Sequence, residues 1–186
     1  MASKPSSESS TAPVPGNQLG SASSPYLRQH ASNPVHWYQW SEEPFHRAYL
    51  SDKPIFLSIG YASCHWCHVM AHESFDDQEV ATLLNDHFIC IKLDKEERPD
   101  LDSIYMTVTQ MISGQGGWPN SVFLTPEKQA WFAGTYFPKD DLPNRVGFKT
   151  LLQDLSHAWK TRREDIEAQA QELTLSIQAL NQGKPS

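Results

Sequence analysis

The apolar run Pro54-Ile55-Phe56-Leu57-Ser58-Ile59-Gly60 leads almost directly into Cys64-His65-Trp66-Cys67. Two residues between the thiols place both sulfurs on one helical turn, close enough to bridge. Unpaired N–H groups and the positive end of a helix favour thiolate there. The thiolate is the nucleophile, so a depressed pKa makes such a cysteine reactive. A strand that delivers a Cys-x-x-Cys to the mouth of a helix demands an α/β arrangement and reads as a dithiol/disulfide device.

The rest of the chain is consistent with one domain and short tails. Its 186 residues are 39% hydrophobic and 11% aromatic, enough for a real core. A formal net charge of -7 argues against nucleic acid or an anionic membrane as the main partner. The long apolar stretches are strand-sized, so none is read as spanning a membrane. Met1 to Gly20 is rich in Ser, Pro and Ala. It lacks the apolar stretch of a signal peptide and the arginines of a transit peptide, and is expected to be a disordered tail. The domain is expected over 21–182, with a C-terminal tail over 183–186. Without a visible export signal the expected compartment is the reducing cytoplasm, where three cysteines do not form a disulfide framework.

Along the chain, residues 21–40 combine two prolines with Tyr26, Trp37, Tyr38 and Trp40, which predicts a wrapped segment without regular structure. Ser41 is placed to cap a helix through Phe45, Ala48 and Leu50. Residues 55–60 predict a central strand, apolar on both faces. A helix is expected from Cys64, with Trp66, Val69 and Met70 on one side and His65, His68 and His72 on another. Asp76 with Glu79 reads as a capping box for a following helix. His87 to Asp94 predicts the next strand, with Cys90 buried in it. Leu101, Ile104, Tyr105, Val108, Met111 and Ile112 form a helical stripe. Ser121–Leu124 and Ala130–Gly134 read as a hairpin, and 147–182 as one or two helices.

That order resembles the thioredoxin fold: α/β, a central mixed sheet flanked by helices, here with an N-terminal wrapped extension. The likeness is carried by Lys53-Pro54 before the first strand, by Lys92-Leu93-Asp94, and by Gly116-Gly117-Trp118-Pro119 before another strand. The resemblance implies that Pro119 is a cis-proline facing the Cys-x-x-Cys. More specifically, Ser24-Pro25-Tyr26-Leu27, Asn33-Pro34-Val35-His36-Trp37, Glu96-Glu97-Arg98-Pro99-Asp100 and Gly134-Thr135-Tyr136-Phe137-Pro138 resemble the thioredoxin-like N-terminal domain of the spermatogenesis-associated protein 20 family. Members of that family generally continue into a large α-helical barrel, so a helical-barrel domain absent from this chain is an expected partner. Three departures stand out. Thioredoxins place a buried acid where this chain has Ser58, a tryptophan where it has Ser63, and Gly-Pro between the cysteines where it has His65-Trp66.

The expected activity is thiol–disulfide exchange by an oxidoreductase that needs no cofactor. Cys64 attacks a protein or small-molecule disulfide and Cys67 resolves the mixed disulfide. Pro119 lies against the substrate, with His65, Trp66 and Trp118 as substrate-binding residues. An intervening His65 implies a less reducing potential than thioredoxin's. Two alternatives stay open. One is a non-catalytic binding module for a larger helical domain. The other is a zinc site of Cys64, Cys67, His68 and His72, completed by a residue such as His36, although four ligands on one short helix cannot easily surround a tetrahedral ion. No metal is therefore assigned.

Overall fold

A computed structural model describes residues 14–182. Five strands form one sheet in the order β1-β3-β2-β4-β5: β1 (Trp37–Tyr38), β2 (Ile55–Gly60), β3 (Ile89–Asp94), β4 (Asn120–Leu124) and β5 (Ala130–Gly134). β1 and β2 run parallel to β3 on its two sides, while β4 is antiparallel to both β2 and β5. The mixed sheet flanked by helices is the α/β architecture expected. Seven helices surround it: α1 (Pro25–Arg28), α2 (Glu42–Ser51), α3 (His65–Met70), α4 (Gln78–His87), α5 (Pro99–Ser113), α6 (Phe148–Thr161) and α7 (Arg163–Gln182).

The sheet is covered on both sides: β2, β3 and β4 are buried at every position but Ile89, and most of those residues are apolar. Phe56, Cys90 and Phe123 face a core completed by Trp37, Phe75 and Phe148. Ile55, Leu57, Ile59, Ile91 and Val122 face a second core, against Phe45 of α2 and Tyr105 and Val108 of α5. Strand alternation therefore puts Ser58 and Gly60 on the Phe56 side. There they line up beside Lys92 and Asp94, their register partners on β3.

Several boundaries differ from expectation. The 21–40 segment is not wholly irregular: Ser24 caps the short α1, and Trp37–Tyr38 adds a strand to the sheet edge. The two prolines did not prevent this, because β1 needs only two residues and Pro25 sits at the helix start, where a missing N–H costs nothing. The span 1–20 divides. Residues 1–13 lie outside the described residues, but Leu19 and Asn17 are buried, and Asn17 donates to the carbonyls of His30 (2.9 Å) and Asn33 (3.1 Å). The tail expected at 183–186 also lies outside the described residues.

The cap of α4 is Asp77, which accepts from the Val80 N–H at 3.0 Å; it is not Asp76. Asp76 instead accepts from Asn33 at 2.6 Å. Between α3 and α4 the chain widens into a π-helical turn over Ala71–Phe75 that periodicity did not reveal. His87 ends α4, so β3 begins two residues later than the apolar pattern suggested. On α5 the stripe is only partly buried, with Ile104 and Met111 exposed.

Candidate functional site

β2 ends at Gly60, and the chain turns through Tyr61, Ala62 and Ser63, closed by the Cys64 N–H donating to the Tyr61 carbonyl at 3.2 Å. Cys64 is the N-cap of α3. Its sulfur accepts from the Cys67 N–H at 3.2 Å and is joined to the Cys67 sulfur in a disulfide, with a Cα–Cα distance of 5.3 Å. Cys64 reaches the surface with 4% exposure, whereas Cys67 is sealed beneath it. The His68 ring holds the loop from the other side, its Nε2 2.6 Å from the Ala62 carbonyl.

Around the disulfide the surface is aromatic. Trp66 is 51% exposed and lies 5.0 Å, ring to ring, from Tyr136, while Met70 and Cys67 take the buried side of α3. The Tyr136 hydroxyl donates to Glu73. Burial and then the Glu73 carboxylate push its phenol up to about 12. On the far side, the Trp118–Pro119 peptide is cis. Ile59 pairs with Asn120 across the antiparallel ladder, so Pro119 lies beside the end of β2 that feeds the cysteine loop. Trp118 is only partly exposed. Its indole N–H donates to Asp102 at 2.8 Å, and the Lys95 ammonium sits 4.1 Å above its ring and 5.1 Å above Tyr61.

Behind Gly60 the apolar core encloses several polar side chains. A Cβ on Gly60 would stand 2.3 Å from the Tyr26 hydroxyl and 2.8 Å from Cys67 Sγ, so both groups crowd the side of the glycine that a side chain would occupy. The Tyr26 hydroxyl has no hydrogen-bond partner among the described residues. Lys92 is fully buried and donates to the Ser58 hydroxyl at 2.8 Å. Its amine lies over the rings of Phe75, Trp37 and Tyr26, at 4.4, 5.2 and 5.7 Å. Burial pulls the amine down to about 7. His30, also buried, is held well below the usual histidine range by burial and then by the charge of Lys92.

Cys64, His65 and Trp66 thus stand together at the start of α3 with Cys67 buried beneath them, and Trp118 with Pro119 on the adjoining loop. The residues proposed for zinc do not converge. Among the described residues no three His, Cys, Asp or Glu side chains are grouped to hold a metal ion. His72 points outward and pairs with Asp76 at 3.5 Å, and His36 lines a separate groove with Tyr38, Asn85 and Phe88. Cys90 is buried, and burial pushes its thiol up. Sequence reading passed over Lys92, Tyr26, Tyr136 and Lys95 as site residues. A lysine inside an otherwise apolar strand run was the one available signal.

Residues 16–178 match the model of the thioredoxin-like DsbH family, described as a protein of unknown function, DUF255. Spermatogenesis-associated protein 20 of Mus musculus is 49% identical over 163 residues, 88% of this chain and 21% of that protein. Its counterpart from Homo sapiens is 47% identical over 176 residues, 95% of this chain and 22% of that one. The chain therefore spans about a fifth of the length of the curated relatives it matches. Among solved structures, a DsbH oxidoreductase is similar with TM-score 0.49 at 17% identity, over 68% of this chain and 85% of that one. A thioredoxin from Thermus thermophilus is similar with TM-score 0.49 at 18% identity, over 68% and 90%. Its mixed sheet, its cysteine pair at the start of α3 and a family match over most of its length make this chain a member of the thioredoxin-like DsbH (DUF255) family.

Proposed function

We propose that this domain carries out thiol–disulfide exchange through Cys64 and Cys67. The observation that carries the reading is the bonded pair at the start of α3: Cys64 at the helix N-cap with 4% of its surface exposed, and Cys67 fully buried beside it. In the reduced protein the Cys64 thiolate attacks a substrate disulfide. A Cys64–substrate bond forms, the substrate's own S–S bond breaks, and the departing thiolate takes a proton. Cys67 then loses its proton and attacks Cys64 Sγ, and the second substrate thiolate leaves and is protonated. Two electrons pass from the dithiol to the substrate, and the reverse sequence oxidises a substrate dithiol.

The Cys67 N–H stabilises charge on Cys64. In this reading Trp66, beside the pair on α3, and Trp118, on the cis-proline loop, offer apolar contact to a polypeptide, with Pro119 against its backbone and His65 beside it. The proposed substrates are protein or small-molecule disulfides, in a reducing compartment such as the cytoplasm. A helical-barrel domain is proposed as a neighbour in longer relatives.

Equilibrating the protein across a graded thiol/disulfide buffer, trapping free thiols by alkylation and weighing the Cys64–Cys67 peptide tests this. A reversible two-electron transition between about -270 and -120 mV is expected. Thiols that never pair, or a Cys64→Ser protein that exchanges as fast as the parent, would end the reading.

A further inference from the structure

Lys95 is a cation at the site that the exchange steps above do not use. It follows β3 directly, as Tyr61 follows β2, and Trp118 stands two residues before β4. β3, β2 and β4 are neighbours in the sheet, so the three residues come from adjacent loops at one end of it. The Lys95 N–H donates to the Gly60 carbonyl at 2.9 Å, which carries the pairing of β2 and β3 past the strand ends. From there the side chain reaches across the neighbouring loops. Its ammonium stands 4.1 Å above the Trp118 ring and 5.1 Å above the Tyr61 ring. The two rings meet edge to face, with centroids 5.9 Å apart.

Each ring is fastened to a different part of the site. The Tyr61 carbonyl accepts from the Cys64 N–H at 3.2 Å, so Tyr61 begins the turn that places the N-cap sulfur. Trp118 precedes Pro119, and Gly114, Gly116 and Gly117 precede Trp118. A segment so rich in glycine has little stiffness of its own, and the indole anchors it. Its N–H donates to the buried Asp102 carboxylate of α5 at 2.8 Å, and its face receives Lys95. Asp102 holds the indole to α5, whereas Lys95 and Tyr61 hold it to the cysteine turn. Among the described residues the Lys95 ammonium forms no ion pair, so the rings and not a carboxylate set its place.

We propose that Lys95 is a positioning residue for exchange with polypeptide disulfides: lodged against Trp118 and Tyr61, it fixes the spacing between the Trp118–Pro119 loop and the Cys64 turn. The proposal deepens the exchange reading and rests on it. A polypeptide lying along Pro119 presents its disulfide to a sulfur carried by the other loop. An error in the spacing of the loops is then an error in the approach of sulfur to sulfur. A small disulfide that meets Cys64 alone needs no such register. The ammonium takes no part in the bond changes.

The test is to measure second-order rate constants of the reduced full chain with a disulfide-bonded peptide and with a small aliphatic disulfide, by acid quench, alkylation and mass. Lys95→Met keeps the stem without the charge. It is expected to lower the peptide constant roughly threefold to tenfold and the small-disulfide constant by less than about twofold. Lys95→Arg keeps a cation over the rings and should return the peptide constant to within about twofold of the parent's. In a Trp118→Leu chain, where the clamp has already lost one side, Lys95→Met should slow the peptide reaction by less than about twofold. A Lys95→Met chain with the parent's peptide constant would overturn the proposal. So would equal losses on the two disulfides, a Lys95→Arg chain as slow as Lys95→Met, or an undiminished effect of Lys95→Met in the Trp118→Leu chain. A parent that reacts with neither disulfide would instead fail the exchange reading on which the proposal stands.

Discussion

Trp66 and Tyr136 lie with ring centroids 5.0 Å apart and together form a wall beside the Cys64–Cys67 disulfide. Tyr136 is fixed by Glu73, so Trp66 rests on a braced partner while its other face meets solvent. An exposed indole is a recognition element rather than a core one. Trp66→Ala is expected to cost less than about 1 kcal/mol of stability. It should slow exchange with a peptide disulfide by roughly fivefold, about 1 kcal/mol of binding, and change a small aliphatic disulfide much less. Parallel rate measurements on the two substrate classes check this.

Gly60 is required by close approach, since a methyl group there meets both the Tyr26 hydroxyl and Cys67 Sγ. Gly60→Ala should destabilise the protein by about 1–3 kcal/mol through overpacking. The nearest atom is the hydroxyl, so Tyr26→Phe in the same chain should recover part of that loss. Urea denaturation of the single and double variants measures both effects.

Asn33 ties the N-terminal segment to the domain. Its side-chain oxygen accepts from the Trp37 indole at 3.1 Å and from His30 Nδ1 at 3.2 Å, while its amide donates to Asp76. Asn33→Ala strands a buried indole N–H and should lower stability by about 2–4 kcal/mol. It should also open the segment before β1 to protease before the rest of the chain unfolds.

His30 makes stability depend on acid. In the folded protein burial and the Lys92 charge keep it neutral below the ordinary histidine value of about 6.5, whereas the unfolded chain takes the proton there. The stability it contributes is present above about pH 6.5 and is lost as pH falls below it, by at most about 1.4 kcal/mol per pH unit. His30→Gln should show a shallower loss between about pH 6.5 and pH 5 in thermal denaturation across that range.

Lys92 acts at the other end of the scale. Its folded value of about 7 lies below the 10.5 of a free lysine, so between these the unfolded chain holds more protons and the parent gains stability as pH rises. Lys92→Met removes that dependence. Its stability relative to the parent should be greatest at about pH 7 and below. The gap should shrink towards about pH 10, by at most about 1.4 kcal/mol per unit. Denaturation curves across that interval decide it.

The parts of this architecture visible in the sequence are those set by local pattern. β2 and β5 fall on their expected residues because each is bounded by turn-forming residues and is apolar at every position but Ser58. Cys64 and Cys67 were legible because chemistry and spacing coincide. Other features depend on partners far along the chain. β1 exists because Trp37 and Tyr38 find the edge of β3. Asp76 lost the capping role to Asp77 because Asn33, forty-three residues earlier, claims its carboxylate. Lys92 could be seen as an oddity in its strand, but its meaning depends on Tyr26, which only the folded chain brings alongside.

The N-terminal wrap also changes what counts as the smallest working unit. The strand that delivers the cysteines starts at Ile55, yet Tyr26, His30, Asn33 and Trp37, which line the underside of the site, all precede it. A chain trimmed to begin near Lys53 would keep both thiols and the strands on either side of β2. It would also leave Cys67 facing water where Tyr26 had been and turn β3 into an open sheet edge. In this fold the inner half of the reactive centre is carried by residues that a reader scanning for the cysteine motif would cut away.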